Sequence, residues 1–214
     1  ALQKLGMSLG EIKEYMENRS PERFMSMIDG KKRQIDEEIR RLKNMKRFIL
    51  HEEESVRLAM NTALDEPRLV ERDREYLLVS DISAGLERKA AVEIAEHVRM
   101  QEKYNGAVGA VGSIYLGEDL ERGIYDRCVK VYTRLDKKTV SHRVQNRPEG
   151  TYVELYSRGH LWNMEKSYRL ITAFAGERGI RLGKIWYEDL MLDELTVKAY
   201  EQYIAKVMVP VGNP

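Results

Sequence analysis

Apolar residues recur every seven positions through the first third of the chain, at Ile28, Ile35, Leu42, Ile49 and Val56, with Met25, Ile39, Met45 and Phe48 filling the same stripe. That period is the seam of a coiled coil, in which apolar knobs seat into a second helix. Ser20-Pro21-Glu22 supplies a capping serine, a proline at the first helical position and an acid in the first turn. No proline follows until Pro67. A helix of about 40 residues would be about 60 Å long, beyond ordinary globular length, and its stripe needs a partner. The pattern therefore predicts a dimerisation helix over 21–64 and a homodimer; the plainer alternative is a long helix lying on its own domain. Upstream, Ser8-Leu9-Gly10-Glu11 has the spacing of a capping box and predicts a short helix over Leu9–Met16.

Past a boundary near Asp65 to Arg72, marked by Pro67, strand alternation and aromatic residues replace the heptads. The chain then repeats itself. Tyr76–Ser80 begins a strand, an amphipathic helix runs from about Leu86 to Tyr104, and strands follow near Ala107–Leu116 and Cys128–Leu135. About 76 positions on, Tyr152–Tyr156 begins a strand, a helix runs from about Leu161 to Arg178, and strands follow near Lys184–Leu190 and Tyr203–Val211. The expected apolar stripes are Ala91, Ile94, Ala95 and Val98 on the first helix and Leu161, Met164, Tyr168, Ile171 and Ala175 on the second. The fold class is α+β: N-terminal helices over 1–20, the dimerising helix over 21–64, and a duplicated βαββ antiparallel-sheet domain over 65–214. Its repeats span about 72–136 and 147–212, and a ligand groove is expected between the two halves.

Charge adds a restriction. Thirty-six Lys and Arg against 35 Asp and Glu leave a net charge of +1, so no global basic field advertises nucleic acid. The basic run from Lys31 to Arg47 reads as a solvated helix face. The longest charge-free stretch near membrane length, Gly106–Gly117, is 12 residues and glycine-rich, short of a spanning helix. With no secretory leader pattern, the expectation is a cytoplasmic protein with no membrane partner. A single cysteine, Cys128, excludes an internal disulfide and a Cys-only zinc site. The first residue, Ala1, already lies in what looks like a helix end, which suggests a piece of a longer chain.

Leu5-Gly6-Met7-Ser8-Leu9-Gly10-Glu11-Ile12-Lys13, followed by the heptad helix, resembles the end of the DNA-binding region and the dimerisation helix of MerR-type transcriptional regulators. Pro148-Glu149-Gly150-Thr151-Tyr152, Gly159-His160, Trp186-Tyr187-Glu188-Asp189-Leu190-Met191-Leu192-Asp193 and Met208-Val209-Pro210-Val211 resemble the GyrI-like effector-binding domain. Their order is that of the multidrug-sensing branch of MerR regulators. The resemblance implies a homodimer that binds promoter DNA through an N-terminal winged helix-turn-helix. That head would precede Leu2, so this chain holds the dimerising and effector-sensing parts. The metal-sensing branch is disfavoured, because its cysteine ligands would lie where this sequence has His51-Glu52-Glu53-Glu54.

Within the expected groove, strand alternation puts Lys184, Trp186 and Glu188 on one face and Ile185, Tyr187 and Asp189 on the other. A carboxylate beside an indole suits a lipophilic cation, and the resemblance makes Glu188 the pocket acid. The plainer alternative is a solvated edge-strand glutamate. Tyr203, Tyr152 and Tyr156, with Glu154 on the face of the last two, would extend an aromatic lining; each could equally be sheet packing. The position equivalent to Glu188 in the first repeat is read as Gly112, in a glycine-rich run whose missing side chains would leave room in the groove. His160 reads as a helix-start residue rather than a base, and His51, His97 and His142 share no metal spacing. No catalytic residue, metal or cofactor is expected. Two alternatives stand beside the regulator: a GyrI-like hydrolase using a pocket glutamate, or a sequestering protein without DNA function. A helix-turn-helix coded upstream would separate them from a regulator.

Overall fold

The computed structural model describes residues 2–83, 88–101, 104, 107–136, 138–159 and 164–212. The chain divides into two units, Ala1–Lys46 and Arg47–Pro214. In the first, a 3-10 turn over Leu2–Leu5 leads to α1 (Leu9–Glu17). The capping box forms: Ser8 Oγ accepts from the Glu11 N–H at 3.3 Å, and Glu11 accepts from the Ser8 N–H at 2.7 Å. Lys31 then ties the two helices, donating to the Gly6 carbonyl at 3.2 Å and pairing with Glu11 at 3.5 Å.

The second helix, α2 (Pro21–Asn61), is 41 residues long and uninterrupted. Ser20 Oγ caps it, accepting from the Arg23 N–H at 3.2 Å. Within one chain its apolar stripe is largely uncovered: Ile35, Leu42 and Ile49 are each at least 50% exposed, and Ile28 and Val56 are half-buried. The stripe turns inward only near the C-terminal end, where Ser55 and Ala59 are buried.

In the second unit all strands join one antiparallel sheet. They are β1 (Arg68–Arg72), β2 (Glu75–Asp81), β3 (Ala107–Leu116), β4 (Lys130–Leu135), β5 (Val144–Arg147), β6 (Gly150–Arg158), β7 (Ile185–Leu192) and β8 (Ile204–Pro210), in the spatial order β1-β6-β8-β7-β3-β4-β2-β5. The duplication is visible in the register. Glu154 pairs with Arg68 and Val207 with Glu188 in the second half, as Leu78 pairs with Val144 and Val131 with Ser113 in the first. Strands β1 and β5 were not expected. The stretch read as a boundary holds β1, and each of these short strands pairs with the first strand of the other repeat, so the two halves exchange an edge. Such strands are too short to show a period; only pairing defines them.

Helices α3 (Arg88–Gln101) and α5 (Glu165–Glu177) cover one face, over a core that includes Tyr115, Val131, Val153, Leu155, Ile171, Trp186 and Val207. On α5 the expected stripe is the buried one, with Met164, Ile171 and Ala175 inside; Leu161 lies outside the described residues. On α3 the stripe is rotated. Ala90, Ile94 and His97 turn inward, whereas Ala91, Ala95 and Val98 are exposed. The cause is His97, which sits between Ser80 Oγ at 2.8 Å and Thr133 Oγ1 at 3.0 Å, so a polar residue anchors the helix where apolarity would not mark it. A short helix, α4 (Gly117–Glu121), links β3 to β4.

The opposite face packs Leu77, Val79, Ile114, Tyr132, Tyr152, Tyr187 and Met208. The end of α2 lies on it through Ala59, which clusters with Tyr156, Met191 and Ile204. Asp65 turns the chain from helix to sheet in the left-handed region, φ 62°, a conformation Asp tolerates better than most residues. Its carboxylate accepts from Ser157 Oγ at 2.8 Å and Lys166 Nζ at 2.7 Å.

Candidate functional site

Strands β3 and β7 meet at the centre of the sheet and pair Ser113 with Glu188, and Tyr115 with Trp186. Directly paired residues share a face, so these four side chains all project toward the helices. Ser113, not Gly112, is therefore the counterpart of Glu188: both oppose equivalent valines, Val131 and Val207.

Glu188 is 7% exposed. Its Oε2 accepts from the Tyr115 hydroxyl at 2.9 Å, and its Oε1 has no hydrogen-bond partner among the described residues. Burial drives the carboxyl pKa up from 4.5 to about 7; the Tyr115 hydrogen bond opposes the rise and nearby Asp189 adds to it. Trp186, two positions away on the same strand, is 2% exposed and begins an aromatic ladder. Its ring centroid lies 5.3 Å from that of Tyr168, which lies 5.9 Å from that of Tyr125. Cys128 belongs to the same core, and burial followed by Glu188 pushes its thiol up to about 11, leaving it protonated and inert.

Of the residues singled out in sequence, the structure brings Glu188 and Trp186 together. Tyr152, Glu154 and Tyr156 lie on the opposite face. Glu154 pairs with Met208 and so with Tyr187, whereas Glu188 pairs with Val207 and so with Leu155; the period of two separates them. Glu154 is held by Arg68 and Arg72, Tyr156 lies under Arg68, and the Tyr152 hydroxyl donates to the Pro148 carbonyl at 2.7 Å. Tyr203 precedes β8, with its hydroxyl on Glu194 at 3.3 Å and its ring on Tyr200. Gly112 also serves the far face, where an added Cβ would stand 2.4 Å from Tyr132 Cζ. His160 and Gly106 lie outside the described residues.

Tyr115, Tyr125 and Tyr168 were not singled out for the site. Tyr168 was visible only as part of a helical stripe, and Tyr115 becomes a neighbour of Glu188 through strand order, which no local pattern encodes. Among the described residues no group of three His, Cys, Asp or Glu could hold a metal ion, and no helix is long and apolar enough to cross a membrane.

A family model described as "MerR, DNA binding" matches residues 1–51, which comprise α1 and the first part of α2. The "Multidrug-efflux transporter 2 regulator" of Bacillus subtilis (strain 168) is 28% identical over 211 residues, covering 97% of this chain and 76% of that protein. Over its first 51 residues the chain is similar to the MerR family. The solved structures of EcmrR share the fold of this chain. The EcmrR–DNA complex in EcmrR-RPo, solved by cryo-electron microscopy, covers 100% of it and 80% of that chain, with a TM-score of 0.52 at 13% identity. The crystal structure of the EcmrR C-terminal domain covers 70% and 98%, with a TM-score of 0.53 at 10% identity. The sheet and its two covering helices thus share the fold of the EcmrR C-terminal domain, following an N-terminal region similar to the MerR DNA-binding family.

Proposed function

We propose that this MerR-type regulator senses lipophilic cations on the helix-covered face of its effector sheet, with Glu188 as the counter-charge and Trp186, Tyr168, Tyr125 and Tyr115 as the aromatic surround. The observation that carries this reading is the buried Oε1 of Glu188, which has no hydrogen-bond partner among the described residues. A buried carboxylate with an unsatisfied oxygen is costly, so the apo protein holds a substantial share of it as the neutral acid near pH 7; a bound cation would stabilise the ionised form, and indole and phenol faces attract the same charge. The relative from B. subtilis carries a multidrug name, which fits a site built from flat aromatic surfaces with a single ion-pairing group.

The regulator acts as a homodimer through Ile28, Ile35, Leu42, Ile49 and Val56 of α2, whose exposed stripe is otherwise an aggregation liability. Promoter DNA is reached through the MerR DNA-binding region, of which residues 1–51 match a part. Ligand alters DNA binding only by favouring one dimer geometry over another. Titration of a lipophilic cationic dye, followed by fluorescence, tests the reading: saturable binding weakened by Glu188→Gln supports it, and equal affinity in the variant rejects the site.

A further inference from the structure

The face of the sheet turned away from Glu188 carries an excess of positive charge that no part of the effector reading uses. Five cations, Arg68, Arg72, Arg134, Arg147 and Lys206, meet three carboxylates, Glu154, Asp189 and Glu75. Two arginines share Glu154, two more share Glu75, and Lys206 holds Asp189 at 2.8 Å. Arg147 and Lys206 are themselves buried, at 3% and 8% exposure. A cavity of about 30 Å³ opens in the middle of this cluster, between the sheet and the end of α2, large enough for one or two water-sized occupants. Its wall includes His51 and Ser55 from α2, Arg134 and Arg147 from the sheet, and the Lys206–Asp189 pair.

The wall is rich in donors and poor in acceptors. Lys206 has three N–H donors for one carboxylate. Arg134 Nη2 lies 3.1 Å from His51 Nδ1, so that nitrogen must accept, and the ring proton sits on Nε2 as a further donor. Burial followed by Arg134 lowers the His51 pKa, in keeping with a neutral ring. Asp189 is already engaged by Lys206 and by the Tyr132 hydroxyl at 2.5 Å. Arg134, Arg147 and Lys206 around a small cavity whose lining holds one carboxylate, Asp189, favour a small anion.

We infer that this cavity is a halide site, in which chloride is held by Arg134, Lys206 and the His51 ring and bridges the last turns of α2 to β7 and β8. Chloride would thereby stiffen the attachment of the long helix to the sensor sheet.

Two measurements on the whole chain test this. Crystals soaked in sodium bromide should give an anomalous peak inside the cavity within contact distance of Lys206 and Arg134. Melting temperature should rise saturably by about 2–4 °C in sodium chloride over sodium gluconate at matched ionic strength, since gluconate is too large to enter. Arg134→Gln removes one half-exposed lining cation and leaves Glu75 paired with Arg147, so the variant should fold and lose the chloride-specific rise. No anomalous peak, identical melting in the two salts, or a rise that persists in Arg134→Gln would each overturn the assignment.

Discussion

Replacing Glu188 with glutamine removes a carboxyl whose neutral form the fold favours, and the consequences follow from its pKa. The folded value of about 7 against an ordinary 4.5 corresponds to about 3 kcal/mol of differential stability. Because the folded value is the raised one, the wild-type chain keeps this stability below pH 4.5 and loses it as pH climbs through 7. Glu188→Gln should be flat over that window, and urea midpoints at pH 5 and pH 8 read the difference. Cation binding has the opposite slope. Only ionised Glu188 pairs with the ligand, so affinity for a cationic dye should rise about tenfold from pH 6 to pH 8 and level off above. At pH 8 the variant should bind about 30-fold more weakly, the lower end for loss of a buried charge partner, and should show no pH slope. A neutral dye of similar shape should be indifferent to both pH and substitution. If the pH slope survives in Glu188→Gln, another group reads the cation and the reasoning fails.

Ile35→Asp combined with Leu42→Asp places charges in the α2 stripe and should convert a dimer to a monomer by light scattering; an unchanged mass would remove the coiled-coil claim. Gly112→Ala drives a methyl to 2.4 Å from the Tyr132 ring and should cost about 1–3 kcal/mol in chemical denaturation, with Tyr132→Ala restoring part of the loss. His97, lowered from 6.5 to about 4 by burial and then by Arg143, should make the fold acid-sensitive. Its contribution is complete above pH 6.5 and lost as pH falls toward 4, so His97→Gln should flatten that limb of the denaturation profile. Incubation with ester or epoxide substrates should give no turnover dependent on Glu188, and a Glu188-dependent rate would favour the hydrolase alternative.

Long elements with a strong period were legible in the sequence: α2 from its heptads and its Ser20-Pro21 start, α1 from the capping box, and the repeated strand and helix order from self-similarity at about 76 residues. Each rests on local backbone preferences or on a repeat that survives as a pattern of side chains. The position of Glu188 next to Trp186 on one strand face was legible for the same reason, since alternation is a property of consecutive residues.

What surrounds Glu188 was decided only by tertiary structure. Tyr152 and Tyr156 carry the same chemistry as Tyr115, and nothing in the chain separates them. The register of β6 on β8 and of β7 on β3 sends the first two to the α2 side and the third to the carboxylate. One residue of slip would exchange these roles, because every side chain changes face with a single step. The exchange of β1 and β5 between repeats, the rotation of α3 onto His97 and the basic cavity under α2 have the same origin. They depend on which distant segments pair, and pairing is set by burial and charge compensation summed over the whole sheet rather than by any local stretch of sequence.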